Sequence, residues 1–376
     1  MSLERILAIL VKEFKQVFRD PRMKTIIFIT PLVQVLIFGY AANRDINYVP
    51  TAILDRDNSV ESREFLRRFT FSKYFIPEYY ISTEREQNDV LNKGKASVVI
   101  HIDRGFGRDL EAGKDAAVQF AFDGTDSNTA MIIMGYANTI TSGFQRDVLI
   151  NQAQAKGWTG DFPEVDLHDR AWFNGNLITR DYYLPGVIAM IVTMMSLLLT
   201  SMAIVKEKEI GTMEQLIVSP LRPLELILGK LLPFAAIALV QVALITVLGV
   251  LWFKVPLRGN LLLLLFSTCI YLFTTLGIGL FISTISATQQ EAEMSMFLFY
   301  MPTVLLSGFA YPIACMPKAI QWFTFGNPLR YFMVVTRSIF LKGVGIDVLW
   351  RQLVPLFVIG LVVISLSVFR FRKSLS

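Results

Sequence analysis

The chain has 376 residues, 53% of them hydrophobic and 18% charged, with a mean hydropathy of +0.49. So high an apolar share with so few charges, gathered in clusters between long uncharged runs, excludes an ordinary water-soluble globular chain. The net charge of +5 suits basic loops beside membrane spans rather than nucleic-acid binding, and two cysteines and two histidines exclude a disulfide framework and multi-histidine zinc sites.

Residues 1–22 carry an amphipathic helix. Leu3, Ile6, Leu7, Leu10, Phe14, Val17 and Phe18 recur at helical spacing, with Glu4, Arg5, Lys12, Lys15 and Arg19 on the other face. That pattern suits the headgroup region of a bilayer, and Asp20-Pro21 ends it. An apolar run follows at once and gives a first span over 23–43, with Pro31 tolerated inside it. A cleaved signal peptide is disfavoured, because the charged segment ahead is long and no A-x-A site follows.

Residues 44–180 change character. Strands are expected at 51–55, at 96–102 and where Val118, Phe120 and Phe122 alternate with other residues. Thr83-Glu-Arg-Glu forms a capping box that opens a helix ending near Gly94, and a longer helix is expected from Ser127 to Ala155. This segment reads as an α/β (α+β) domain. Asp55-Arg-Asp-Asn-Ser and Asp123-Gly-Thr-Asp lie between strands and helices. They read as turns and caps, since neither has the acidic spacing of a calcium loop.

Five further uncharged runs follow, each long enough for about 20 helical residues. They place spans at 181–205, 226–253, 259–286, 292–311 and 351–370, with a tail at 371–376. Residues 312–350, broken by Pro317 and Asn327-Pro328, read as re-entrant helices that dip into the outer leaflet. The fold class is therefore a polytopic α-helical membrane protein. It has six transmembrane helices and an extracytoplasmic α/β domain inserted between the first and second spans. Lys12, Lys15, Arg19, Arg22 and Lys24, then Lys206, Lys208 and Arg222, then Arg370, Arg372 and Lys373 fall on one side, which the positive-inside rule makes cytoplasmic. Residues 312–350 carry Lys318, Arg330, Arg337 and Lys342 on the opposite side, against that rule.

The most informative stretch is the loop 206–225. Gly211 breaks the preceding helix, and Thr212 can cap a new one with Gln215 completing a capping box. Met213, Leu216 and Ile217 give that helix an apolar face, Ser219-Pro220 ends it, and Pro223 is placed to open the next. Physically, a docking element and a solvated connector fit these residues equally well.

Lys206-Glu-Lys-Glu-Ile-Gly-Thr-Met-Glu-Gln-Leu resembles the signature of ABC-2-type exporter permeases, in which a coupling helix between the second and third spans sits on an ATPase subunit. Glu207, Gly211, Thr212, Glu214 and Leu216 match position by position, and Glu209 falls in the same run. The resemblance extends over nearly the whole chain. Arg19-Asp-Pro, Phe38-Gly-Tyr, Asp123-Gly-Thr-Asp-Ser-Asn-Thr-Ala, Trp172-Phe-Asn, Leu306-Ser-Gly-Phe, Met316-Pro and Asn327-Pro-Leu-Arg-Tyr occur in the family's order. Gly175 departs from it, where relatives usually have proline.

The resemblance, to the multidrug exporter group in particular, implies a permease subunit moving an amphiphilic or drug-like cargo. A lipid, glycan, peptide or sodium cargo is the alternative within the family. It implies an ABC ATPase partner that binds ATP and Mg, none bound by this chain. It also implies a second copy or related permease, a periplasmic adaptor, and a bacterial inner membrane with both termini cytoplasmic. The lack of any G-x-x-x-x-G-K-[ST] loop agrees, since Gly229-Lys230 and Gly94-Lys95 are not such loops.

In the family the second and fifth spans flank the path of the cargo. That points to Met190, Met194, Ser196 and Thr200 on one, and Phe297, Tyr300 and Met301 on the other. Ordinary helix packing accounts for the same residues, and Glu291 and Glu293 fit a hydrated loop at the edge of the fifth span. A membrane-anchored binding or adhesion protein is the rival of another class. An ion-driven transporter would need mid-span ionisable groups and internal repeats, neither of which the sequence displays.

Overall fold

The computed structural model describes residues 3–41, 46, 48–155, 157, 172–174, 178–211 and 223–375. The chain divides into two units, Met1–Arg44 with Arg170–Ser376, and Asp45–Asp169. In chain order the helices and strands are α1 (Leu3–Arg19), α2 (Thr30–Ala41), β1 (Val49–Asp55), α3 (Val60–Phe71), β2 (Phe75–Tyr80), α4 (Glu84–Asn92), β3 (Val98–Ile102), α5 (Phe106–Glu111), β4 (Val118–Phe122) and α6 (Ser127–Ala155). There follow α7 (Thr179–Ile210), α8 (Pro223–Leu251), α9 (Leu261–Ile285), α10 (Gln289–Leu305), α11 (Lys318–Thr324), α12 (Pro328–Arg337) and α13 (Ile346–Leu375).

Among the described residues of the first unit, four helices are long and apolar enough to cross a membrane: Thr179–Ile210, Glu225–Leu251, Leu261–Ile285 and Ile346–Arg370. Within its apolar window α7 is 72% buried and α13 only 22%, so α7 is the central post and α13 a peripheral one. The contact between α7 and α9 is close because Gly279 has no side chain: a Cβ there would overlap the Thr200 hydroxyl. On the other side of α9, Gly277 receives Ile364, and Gly360 of α13 receives Phe273 and Thr274. Small residues let apolar helices approach to backbone distance where lipid offers no hydrophobic drive between them.

The helical segment ahead of α2 shows how a proline is accommodated. Thr25–Ile29 is a π-helical turn, with the Thr30 N–H donating to Thr25 O. Pro31 has no N–H to offer Ile27 O, four residues back. Gln241 of α8 donates its Nε2–H to that carbonyl at 2.7 Å. The amphipathic α1 packs along α8, where Gly229 leaves room for Ile9. Ile6 and Val17 are buried, while Leu7, Val11 and Phe18 form an exposed apolar stripe on the same helix.

Several element ends differ from the sequence expectations, three helices among them. The helix expected to stop at 205 continues to Ile210, where the left-handed Gly211 ends it, and within this stretch Glu207 is buried against other helices while Glu209 is exposed. The helix expected at 292–311 begins at Gln289 and ends at Leu305, set by the Thr288 N-cap and the turn at Gly308 (φ 83°). The helix expected from 351 begins at Ile346, with Arg351 turned onto the Trp350 ring. Between α10 and α13, α11 and α12 are the short helices that Pro317 and Asn327-Pro328 implied, and Asn327 caps α12 by accepting from the Leu329 N–H at 3.0 Å.

The second unit holds a four-stranded sheet in the order β2-β1-β3-β4. β1 is parallel to β2 and β3, and β4 is antiparallel to β3. β3 is buried along its whole length, with Val98, Ile100 and Ile102 in one core and Val99 in another. Both faces of the sheet are therefore covered, as parallel pairing requires. Phe65, Phe69, Phe75, Phe120 and Phe144 form the larger core by ring-to-ring contact. β2 went unread in the sequence because Pro77 interrupts it; it is an edge strand, where a missing N–H is tolerated, and its register slips between Thr51 and Ala52 of β1.

The turn after β1 is fixed by Asp57. Its carboxylate accepts from the Gly105 N–H at 2.7 Å and the Gly107 N–H at 2.8 Å. The Ser59 hydroxyl and then these backbone donors hold its pKa below the ordinary aspartate range. A depressed carboxyl stabilises the fold above its unfolded pKa of about 3.9 and loses that contribution as pH falls through the lowered value. Asp57→Asn should therefore weaken the full chain at neutral pH and flatten its acid-side loss of stability, read by unfolding of the β-rich unit against pH. Separately, Gln241→Leu should lower the detergent melting temperature by the equivalent of about 1–3 kcal/mol, because Ile27 O loses its side-chain donor.

Candidate functional site

The C-terminal turns of α7 carry Lys206, Glu207, Lys208 and Glu209, and each binds a different part of the first unit. Glu207 is 5% exposed and accepts from Lys12 Nζ of α1 at 2.8 Å and from Lys230 Nζ of α8 at 3.1 Å. Lys230 is 2% exposed; it also donates to Ala203 O at 2.9 Å and lies 3.5 Å from the buried Glu13 carboxylate of α1. Two lysines thus neutralise two glutamates where α1, α7 and α8 meet. Glu13, Glu207 and Lys230 are buried, so these three charges depend on one another, while Lys12, 48% exposed, closes the cluster from the solvent side.

The neighbouring residues extend the tie. Lys206 Nζ lies 4.0 Å from Asp20 at the end of α1. Lys208 Nζ donates to Thr284 O at 3.2 Å and Ser286 O at 3.4 Å, carbonyls at the C-terminus of α9 that the helix itself leaves free. Glu209 Oε1 accepts from the Gln289 N–H at 2.7 Å, at the start of α10, and its other oxygen takes the Gln289 side-chain amide. One helical turn therefore grips α1, α8, α9 and α10 at once.

Gly211 ends α7 with φ 79°, and its N–H donates to Glu207 O and Lys208 O. Only glycine adopts this left-handed cap without strain. The helix-breaking role read for Gly211 is the one it occupies. Thr212, Glu214 and Leu216 lie outside the described residues. Glu291 completes a capping box at the start of α10: Thr288 Oγ1 accepts from the Glu291 N–H at 3.2 Å, and Glu291 Oε2 accepts from the Ala287 N–H at 2.7 Å.

The residues expected on α7 and α10 separate into two groups. Ser196 and Thr200 are fully buried against α9, with Ser196 Oγ donating to Thr275 Oγ1 at 3.0 Å. Met190 and Tyr300 meet, the Tyr300 hydroxyl donating to Met190 O at 3.5 Å, and Met194 accepts from Gln34 Nε2 at 3.6 Å. Phe297 and Met301 are exposed, and with Met294, Leu298 and Leu305 they make one apolar face of α10. The sequence reading placed Lys12 on the polar face of α1 and gave no partner to Lys12, Glu13 or Lys230. A lone lysine several residues inside an apolar helix was the signal for Lys230, since such a charge needs a partner.

Apolar helices of membrane-crossing length, tied by ions at the end of a central post, define a polytopic membrane protein. It belongs to the ABC-2 transporter family: the family described as ABC-2 family transporter protein matches residues 24–369. The probable multidrug ABC transporter permease YbhR of Escherichia coli (strain K12) is 32% identical over 369 residues, 98% of each chain. YbhS of the same organism, named likewise, is 34% identical over 91% of this chain and 90% of its own. The inner membrane transport permease YhhJ, also from that strain, is 30% identical over 97% and 96%.

Replacing one member of the buried cluster should be harsher than replacing a matched pair. Glu207→Ala should cost about 3 kcal/mol, because Lys230 is left with Glu13 and a carbonyl as its only partners among the described residues. Glu207→Ala with Lys230→Ala should recover part of that loss, measured as detergent melting temperatures in a double-mutant cycle.

Proposed function

We propose that this chain is the transmembrane permease subunit of an ATP-binding cassette exporter, energised by a separate ATPase subunit that binds ATP and Mg. The observation that carries the reading is the family match over residues 24–369, joined by near full-length identity to relatives named as ABC transporter permeases. The tied end of α7 supports a mechanical role. Residues 212–222, with Thr212, Glu214 and Leu216, form the coupling element against the ATPase. Glu207 and Glu209 act behind it, inside the protein, so that a push on the loop reaches α1, α8, α9 and α10 together. ATP-driven closure of the ATPases then shifts the helices between inward-facing and outward-facing states, and cargo moves because its affinity differs between them.

In this reading six helices span the inner membrane of a bacterium. To the four long apolar helices are added the shorter apolar helix Thr25–Tyr40 and α10, whose 17 residues cover roughly 26 Å at the helical rise. Both termini lie in the cytoplasm, and residues 44–180 lie outside, where a periplasmic adaptor can dock. The exposed face of α10 around Phe297, Leu298 and Met301 suits pairing with a second copy or a related permease. The cargo is amphiphilic or drug-like. It passes Met190, Met194, Phe297, Tyr300 and Met301, with flexible methionines accommodating varied shapes. Ser196 and Thr200 hold α7 on α9 beside that path.

The test is transport by vesicles holding the permease with its ATPase. Gly211→Ala forces a side chain into the left-handed cap and should cut transport by about tenfold, as should Glu214→Ala, with membrane insertion unchanged. Full transport by both variants, or no ATP hydrolysis by the assembled complex, would count against the proposal.

A further inference from the structure

Just before α7 the backbone takes a turn that its own residues resist. Phe173 has φ 71°, in the left-handed region where a bulky residue is an outlier. Asn174 holds the turn in place. Its N–H donates to Trp172 O at 2.9 Å, its Nδ2 donates to Ile178 O at 2.9 Å, and its Oδ1 accepts from the Ile178 N–H at 3.1 Å. The turn does not bury the aromatic pair beside it. Trp172 is 74% exposed and Phe173 42%, with ring centroids 6.2 Å apart. Backbone strain that leaves large rings in the open contributes nothing to a core, and held strain of this kind gathers at binding sites.

The two rings line a hollow of about 600 Å³ at the start of α7, within the size range of small-molecule sites. Tyr182 and Tyr183 line it from α7, and Val334, Arg337 and Lys342 from α12 and the turn that follows. Tyr182 is exposed and stands edge-on to Tyr183, centroids 5.4 Å apart, and Tyr183 stands edge-on to Phe309 at 5.6 Å. The positive charges are already engaged. The Arg337 guanidinium carbon lies 4.0 Å from the Tyr182 ring centroid, Nη1 donates to Gly308 O at 3.3 Å, and the other two nitrogens are buried. Lys342 Nζ lies 5.7 Å from the Phe173 ring centroid. No carboxylate among the described residues lines the hollow. Its open surface is therefore aromatic, with positive charge behind and beside it.

We propose that this hollow binds an uncharged aromatic ring, the apolar part of a small amphiphile. Rings set nearly at right angles present both edges and faces to a further ring, and aromatic pairs gain beyond the area they bury. An organic cation would be repelled by Arg337 and Lys342 and would compete with them for the Tyr182 and Phe173 rings. An anion would meet only Lys342, at the exposed rim, because the remaining Arg337 donors are buried. A saturated chain would fill the space without the ring-to-ring attraction. The site shares no residue with the cargo path proposed above and stands without the ATPase partner.

The experiment uses the full-length permease in lipid nanodiscs and an uncharged naphthyl diazirine that crosslinks on irradiation, with the labelled residues mapped by mass spectrometry. Label should fall on Trp172, Phe173, Tyr182 and Tyr183. Naphthalenemethanol should displace it at least about tenfold more effectively than the saturated decalin analogue, naphthoate or the trimethylammonium analogue. Trp172→Ala should weaken naphthalenemethanol binding by about tenfold. Phe173→Gly should do the same without lowering the melting temperature, because glycine takes φ 71° without strain. Equal displacement by the saturated analogue would make the hollow a contact for lipid chains and overturn the aromatic assignment. Equal displacement by either ion would overturn the uncharged one. Affinity unchanged in both variants would overturn the site itself. Trp172 is so exposed that its variant decides the matter even where Phe173→Gly fails to fold.

Discussion

A charged amine almost wholly removed from water is the constraint on which the helical unit depends. Lys230 reaches a carbonyl of α7, the carboxylate of Glu207 and that of Glu13. None of these three ions could be buried alone, because the desolvation of an unpaired ion exceeds what packing at one position returns. The amphipathic α1 is therefore part of the helical unit's structure: it delivers Lys12 and Glu13 to a cluster whose other half comes from α7 and α8. Its exposed Leu7, Val11 and Phe18 remain available to lipid.

The same economy governs the uncharged contacts. Where the lipid phase gives helices no hydrophobic reason to associate, this chain uses bare backbone and small hydroxyls. Gly279 accepts Thr200, Gly277 of α9 accepts Ile364 and Gly360 of α13 accepts Phe273 and Thr274, and Ser367 donates to Gly277 O at 2.8 Å. Irregular backbone is confined to places with a donor or acceptor at hand. The carbonyl that Pro31 leaves without its helical donor is met by Gln241, and Asn327, which begins α12, donates to Thr303 O of α10 at 2.7 Å.

Much of this was legible in the sequence wherever a single residue type does a local job. Gly211 as a helix end, Thr83 as a cap, Pro223 as a helix start and the alternating Val118, Phe120 and Phe122 all occupy the positions their chemistry suggested. Several family motifs acquire a physical reason. Asn174 of Trp172-Phe-Asn clamps Ile178 through both of its amide groups, and Gly39 of Phe38-Gly-Tyr is bare because the Phe253 ring lies over it. What could not be read depends on distant partners. Lys206 to Glu209 fitted a docking element and a solvated connector equally well, since nothing local says that residues 12, 230, 284 and 289 await them. β2 stayed hidden because the neighbour that makes Pro77 tolerable is a separate strand. Ser196 and Thr200 face α9, not the α10 side, a matter of rotation about an axis that composition leaves undetermined.

The contact between Thr200 and Gly279 has a mechanical meaning for α7. Among the glycines of the described residues, Gly279 makes the closest approach to α7, and the contact does not lie at the middle of the helix. Measured at the helical rise, Glu207 is roughly 10 Å from it and Tyr182 roughly 27 Å in the other direction. A helix held there has unequal arms. Under the proposed push on the loop, a displacement of the ion-tied turn would reappear at the Tyr182 end enlarged about two- to threefold and reversed in sense. The short arm carries the ionic attachments and the long arm ends at Tyr182 and Tyr183, a geometry that would trade force for travel.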